Sequence, residues 1–109
     1  MYVQDMSKLQ GEARADGVVM TNFFGYELMA GDNVKMGHGI FPPGTVVPPA
    51  AHDEDEYSFI LSGTVNCEAG GKLNVLKGGC GCFIPAGEVH STRNDSNGEC
   101  HVVWMLVKK

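Results

Sequence analysis

Two short stretches of this chain carry side chains able to hold a metal or move a proton near neutral pH. The first is HDEDE, residues 52–56, with His52 and Glu56 at its ends. The second is GCGCFIPAGEVHSTRN, residues 79–94, in which His90 follows a forced turn. Ligand atoms must each approach a small divalent ion to about 2.0–2.2 Å. Four residues of straight strand span about 13 Å, which would hold His52 and Glu56 apart. A chain that brings both to one ion must therefore bend through Asp53 to Asp55, residues that favour turns.

The elements that position these groups read as short strands. Cys82, Phe83 and Ile84 have strand composition, Pro85 removes a backbone donor and ends the ladder, and Gly87 allows the turn. Beyond it His90, Thr92 and Asn94 share one face by the period-two rule, while Ser91 and Arg93 share the other. In EYSFILSG, Glu56, Ser58 and Ile60 alternate with Tyr57, Phe59 and Leu61. Two apolar faces predict burial on both sides. Over residues 34–41, Val34, Met36, His38 and Ile40 form the apolar face, opposite Lys35. In CHVVWMLV, His101, Val103 and Met105 alternate with Val102, Trp104 and Leu106.

Further strands are expected over residues 18–21 and 23–29, followed by a turn at residues 30–33. A hairpin is expected over residues 64–68 and 72–76, turning through Ala69, Gly70 and Gly71. Residues 1–17 read as an arm or edge strand ahead of one barrel domain over residues 18–109. With no strong helix pattern, this is an all-β barrel of about nine to eleven short strands.

Composition supports that class and narrows the partners. A chain of 109 residues supports one core, and 15 glycines suit many turns better than helices. The formal net charge of −5 argues against nucleic acid or an anionic membrane as partner. The apolar run at residues 102–107 is far below the roughly 18 residues needed to span a bilayer. No secretory signal pattern opens the chain, so a cytoplasmic location is expected. Cys67, Cys80, Cys82 and Cys100 show no CxxC spacing and read as reduced thiols in small buried positions.

The spacing Gly79, five residues, Pro85, one residue, Gly87, two residues, His90, three residues, Asn94 resembles the second motif of the cupin superfamily at every anchor. The first motif matches upstream in GTVVPPAAHDEDEYSFILSG, with Glu56 seven residues before Gly63 and His52 at the second histidine position. Ala50 stands where the first histidine would be. The resemblance implies a single jelly-roll β-barrel. It also implies a metal site of His52, Glu56 and His90, reduced by one from the usual three histidines and one glutamate. Two imidazoles and a carboxylate leave two or three positions open and suit iron, manganese, nickel, cobalt or zinc.

Strand parity adds His38, Ser58, Met36, Ala50, Thr92, His101 and Met105 as pocket lining. It turns Lys35, Arg93, Tyr57 and Trp104 away from the ligand, which leaves the pocket without a cation. Gly87 and Asn94 are expected to hold the turn. The functional expectation is a metal-dependent site acting on a small polar metabolite such as a sugar acid, keto acid or other carboxylate. The alternative is a non-catalytic small-molecule-binding barrel whose metal site has lapsed at Ala50. A homodimer is expected, with the first segment contributing to its interface.

Overall fold

Alternating side chains and closely spaced turn residues leave this chain no long element, and a computed structural model describes residues 1–25 and 33–109. Among the described residues, a 3₁₀ turn at Met6–Lys8 is followed by ten strands: β1 (Glu12–Ala13), β2 (Val19–Phe24), β3 (Val34–Phe41), β4 (Val46–Ala50), β5 (Glu54–Ser62), β6 (Thr64–Ala69), β7 (Lys72–Lys77), β8 (Gly81–Ile84), β9 (His90–Arg93) and β10 (Cys100–Lys108). They form two antiparallel sheets, ordered β1-β2-β3-β10-β5-β8 and β4-β9-β6-β7. This is the jelly-roll arrangement, in which two sheets pack face to face around one core.

Three local expectations are refined. The strands expected on either side of Asn22 are one strand, β2, whose pairing with β3 shifts register between Asn22 and Phe24. The rest of the second expected strand and most of the turn at residues 30–33 fall on residues 26–32, outside the described residues. The β6–β7 hairpin turns through two residues rather than three: Ala69 pairs with Lys72, and Gly70 and Gly71 have φ of 59° and 75°. Positive φ at both positions is what the tight hairpin turn demands.

Register decides which face looks inward. Along β10, Val102 pairs with Ile60, Trp104 with Ser58 and Leu106 with Glu56 on one side, and with Gly39, Gly37 and Lys35 on the other. Ile60, Val65, Cys100 and Val102 form the buried core, with Phe41, Leu76 and Cys80 packed against it. The Trp104 ring lies against bare backbone: a Cβ on Gly37 would fall 2.3 Å from Trp104 Cζ2 and 2.5 Å from the Thr21 carbonyl oxygen. Glycine is required there by close approach, not by its φ.

The inner face is therefore the Val102, Trp104 and Leu106 face, the reverse of the parity expectation. His38, Met36, His101 and Met105 belong to the other side of the six-stranded sheet. On β3 the more apolar face in sequence, Val34, Met36, His38 and Ile40, is the outer one, and the face with Lys35, Gly37, Gly39 and Phe41 looks inward; on β10 both faces are apolar, so composition could not choose between them. The burial expected on both faces of β5 is also absent among the described residues, with Tyr57 45% and Phe59 47% exposed. Both sheets close on the inner face; on the outer one the described chain leaves Tyr57 and Phe59 of β5 open, whereas Thr21 and His38 of β2 and β3 are buried.

On that outer face the His38 and His101 rings stand 5.1 Å apart, with His38 Nε2 3.1 Å from His101 Nδ1. Burial, and secondarily the charge of His101, holds the His38 imidazole below the usual value of 6.5. The unfolded chain then takes up a proton at a higher pH than the folded one. Stability is full above pH 6.5 and is lost as pH falls toward the folded value. Thermal midpoints measured from pH 7.5 down to 5.5 are expected to fall less steeply for His38→Gln than for the wild type. Equal slopes would contradict this.

Candidate metal centre

The site is built at a corner. β4 ends at Ala50 in one sheet and β5 begins at Glu54 in the other, so His52 sits where the chain crosses between sheets. The bend comes slightly earlier than the sequence suggests, and Asp55 is already within β5. Its carboxylate accepts from the Ala86 N–H at 2.8 Å and pairs with Lys109 at 3.4 Å. The Gly87 N–H donates to the His52 carbonyl at 2.8 Å, and Gly87 has φ +84°. These two bonds lock the turn before β9 onto the corner and so bring His90 beside His52 and Glu56.

Downstream, Asn94 is fully buried and ties the loops together. Its amide donates to the Phe41 and Gly98 carbonyls at 2.7 and 2.9 Å, and its Oδ1 accepts from Ser96.

Local bonds also set the tautomers. His52 Nδ1 lies 2.9 Å from the Glu54 carbonyl oxygen, and His90 Nδ1 lies 3.0 Å from the Glu88 carbonyl oxygen. A carbonyl only accepts, so each Nδ1 carries the proton. In the neutral rings both Nε2 atoms then present lone pairs to the Glu56 carboxylate. His52 Nε2 lies 3.2 Å and His90 Nε2 3.9 Å from the same oxygen, Glu56 Oε1. The rings meet edge to face, with centroids 5.1 Å apart. Ser58 Oγ donates to Glu56 Oε2 at 2.9 Å, which aims Oε1 at the histidines.

Three lone-pair atoms facing one another need a positive charge between them. A proton on His52 Nε2 would satisfy the 3.2 Å contact but cannot bridge the 3.9 Å one. A divalent ion satisfies both. All three ligand atoms lie within 4.8 Å of one another. Ions of this class hold ligands at about 2.0–2.2 Å, hence up to about 4.4 Å apart, so a closure of a few tenths of an ångström suffices. The donor set fits the group.

The cluster opens into a cavity of about 540 Å³. Of the residues expected around it, His52, Glu56, His90, Ala50, Ser58 and Thr92 line it, while Met36, His38, His101 and Met105 do not. Ala50 pairs directly with His90 across β4 and β9, at the place left by the absent histidine. Trp104 and Leu106 supply apolar wall, and Lys35 and Arg14 supply cationic side chains. Lys35, Trp104 and Leu106 were missed because the faces of β3 and β10 are inverted, and Arg14 reaches the cavity because β1 pairs onto the sheet edge beside β2. The Lys35 ammonium also stands 5.9 Å from the centre of the Trp104 ring. Burial, followed by the charges of Glu56 and Cys67, pushes the Cys82 thiol up to about 11. Cys82 is thus a neutral thiol, as its reading as a small buried hydrophobe requires.

Comparison with known proteins agrees with this architecture. The cupin domain profile matches residues 37–106. The chain belongs to the cupin family. Among solved structures this cupin resembles a predicted oxalate decarboxylase from Thermotoga maritima at 25% identity and TM-score 0.92, covering 99% of this chain and 100% of that one. It also resembles the polyketide cyclase RemF from Streptomyces resistomycificus at 16% identity and TM-score 0.87, covering 100% and 80%. A third is KdgF from Halomonas sp. at 13% identity and TM-score 0.78, covering 94% and 90%. No curated protein matches the sequence. Cupins commonly bind transition metals, and His52, Glu56 and His90 are the group that could hold one among the described residues. No described helix is long and apolar enough to cross a membrane.

Restoring the absent ligand tests the geometry. Ala50→His, placed beside His90, is expected to tighten zinc or manganese binding by about tenfold or more in chelator competition. Unchanged or weaker binding by a folded variant would show that Ala50 does not stand at the ion.

Proposed function

We propose that this cupin uses a divalent transition metal, held by His52, Glu56 and His90, to act on a small carboxylate-bearing metabolite such as a keto acid or sugar acid. The observation that carries the reading is the convergence of two Nε2 lone pairs on one carboxylate oxygen, with both Nδ1 protons already committed to backbone carbonyls. A bound ion of the iron, manganese, nickel, cobalt or zinc class would supply Lewis-acid polarisation of a substrate oxygen. The resemblance to a predicted oxalate decarboxylase, named for a small dicarboxylate, points the same way.

The chain's own residues account for binding and selection. Ser58 fixes the Glu56 carboxylate, so the ligand set stays aligned when substrate enters. Val102, Trp104 and Leu106 form an apolar wall that strengthens charge interactions beside it. Lys35 and Arg14 line the same cavity and favour an anionic ligand. Arg14 is itself ion-paired with Asp16, which restrains its guanidinium.

Thermal unfolding with added ligands tests this. Oxalate, pyruvate and glucuronate are to be compared with oxamide, acetone and glucose on zinc- or manganese-loaded and on chelated protein. A carboxylate present at ten times its Kd is expected to raise the midpoint of the loaded protein by about 5 °C, RT ln 11 being about 1.4 kcal/mol. The neutral analogues, and carboxylates on chelated protein, are expected to do little. Equal shifts with and without metal would contradict the proposal.

A further inference from the structure

We infer that the Trp104 indole N–H, with the Asn22 carboxamide beside it, is a hydrogen-bonding subsite for an oxygen of the ligand at the end away from the metal. The inference rests on the reading of the cavity as a carboxylate site. It narrows that reading to one class, carboxylates that also carry hydroxyl groups, as sugar acids do.

The observation that carries it is an orphaned donor. Trp104 lines the metal-site cavity and is 9% exposed, yet its Nε1 has no hydrogen-bond partner among the described residues. Buried donors without acceptors are rare in folded proteins, because the hydrogen bond to water is lost on burial and must be replaced. An indole N–H only donates, so its partner must bring a lone pair. A ligand oxygen in the cavity is such a partner.

Register places this donor relative to the metal centre. Trp104 pairs with Ser58 on one side and Gly37 on the other, and Gly37 pairs with Asn22, so the four positions form one row across β5, β10, β3 and β2. The ring edge that carries Nε1 lies over Gly37: a Cβ there would stand 2.8 Å from Trp104 Cε2, the carbon bonded to Nε1. Glycine thus leaves no side chain between the indole edge and Asn22, which lines the same cavity. A carboxamide both donates and accepts, and so does a hydroxyl, so a hydroxyl can accept from Trp104 and pair with Asn22 in either sense.

Span and volume select the ligand's size. Glu56 stands two residues along β5 from Ser58 on the same face, so its backbone is roughly 8 Å from that of Trp104, two residues along and one strand across. A ligand with its carboxylate at the metal must extend over several bonds to reach the indole. The cavity of about 540 Å³ lies within the range that holds ligands of drug size. A three-carbon keto acid leaves most of it to water and the indole unpaired. A six-carbon sugar acid spans both ends and brings the hydroxyl groups that the far end requires.

Trp104 is the single tryptophan of the chain, so its fluorescence reports the contact directly. Zinc-loaded full-length protein is to be titrated with glucuronate and with tetrahydropyran-2-carboxylate, which keeps the ring and the carboxylate but lacks the hydroxyls. Glucuronate is expected to bind about tenfold tighter or more and to shift the emission to the red, since a hydrogen bond to the N–H stabilises the excited indole. The hydroxyl-free acid is expected to bind without that shift. In calorimetry, Trp104→Phe is expected to bring the two affinities within about twofold while keeping the metal and the affinity for the hydroxyl-free acid. Asn22→Ala, at an exposed position, is expected to lower the ratio about threefold or more with an unchanged unfolding midpoint. A wild type that binds glucuronate no tighter than its hydroxyl-free analogue, bound glucuronate without a red shift, or a ratio unchanged in both variants would overturn the inference. The same hydroxyl preference on chelated protein, again lost in Trp104→Phe, would uphold the subsite and contradict the metal-dependent reading instead.

Discussion

Two hydrogen bonds fix the character of the site before any ligand arrives. With both Nδ1 protons donated to the carbonyls of Glu54 and Glu88, His52 and His90 turn their remaining lone pairs on Glu56 Oε1. Each carbonyl lies two residues from its histidine, so the constraint is local to each motif. The electrostatic frustration that results is long-range, because the two histidines are 38 residues apart in sequence. The fold brings together three groups whose 3.2 and 3.9 Å contacts a single shared cation would satisfy together.

The rest of the architecture holds that arrangement in place. His52 sits at the crossing between sheets, and the Gly87 and Ala86 amides bind the β8–β9 turn to that crossing. Asn94 closes the far end of β9, with its side chain spanning Phe41 and Gly98. The Ile60, Val65, Cys100 and Val102 core then fills the barrel on one side of the site, and Val102 is also part of the cavity wall. A cavity results because the wall residues beyond it are Trp104 and Leu106, backed by Gly37, and because Ala50 contributes only a methyl group.

The fold and the convergence of His52, Glu56 and His90 were legible because they rest on local signals. The turn at Pro85 and Gly87, the glycine spacing and the position of Glu56 before Gly63 each depend on backbone geometry that few residues can satisfy. Pocket lining was only half legible. Ser58 and Thr92 were placed correctly because they lie two residues from a ligand on the same strand, so parity carries over. On β3 and β10 no residue of the trio anchors the parity: both faces of β10 are apolar, and the more apolar face of β3 is the outer one. Histidines were taken as the sign of an inner face, whereas His38 and His101 pair with each other on the outer one. The same inversion hid Lys35 and Trp104 as cavity lining. The exposed face of β5 was misread because an apolar face implies a cover but cannot say whether the cover belongs to the same chain.

The most direct measurement is metal content by plasma mass spectrometry after reconstitution and desalting, with wild type and His52→Ala prepared together. Close to one equivalent per chain in the wild type and almost none in the folded variant is the predicted result. Equal retention in both, or none in either, would contradict a centre built from His52, Glu56 and His90.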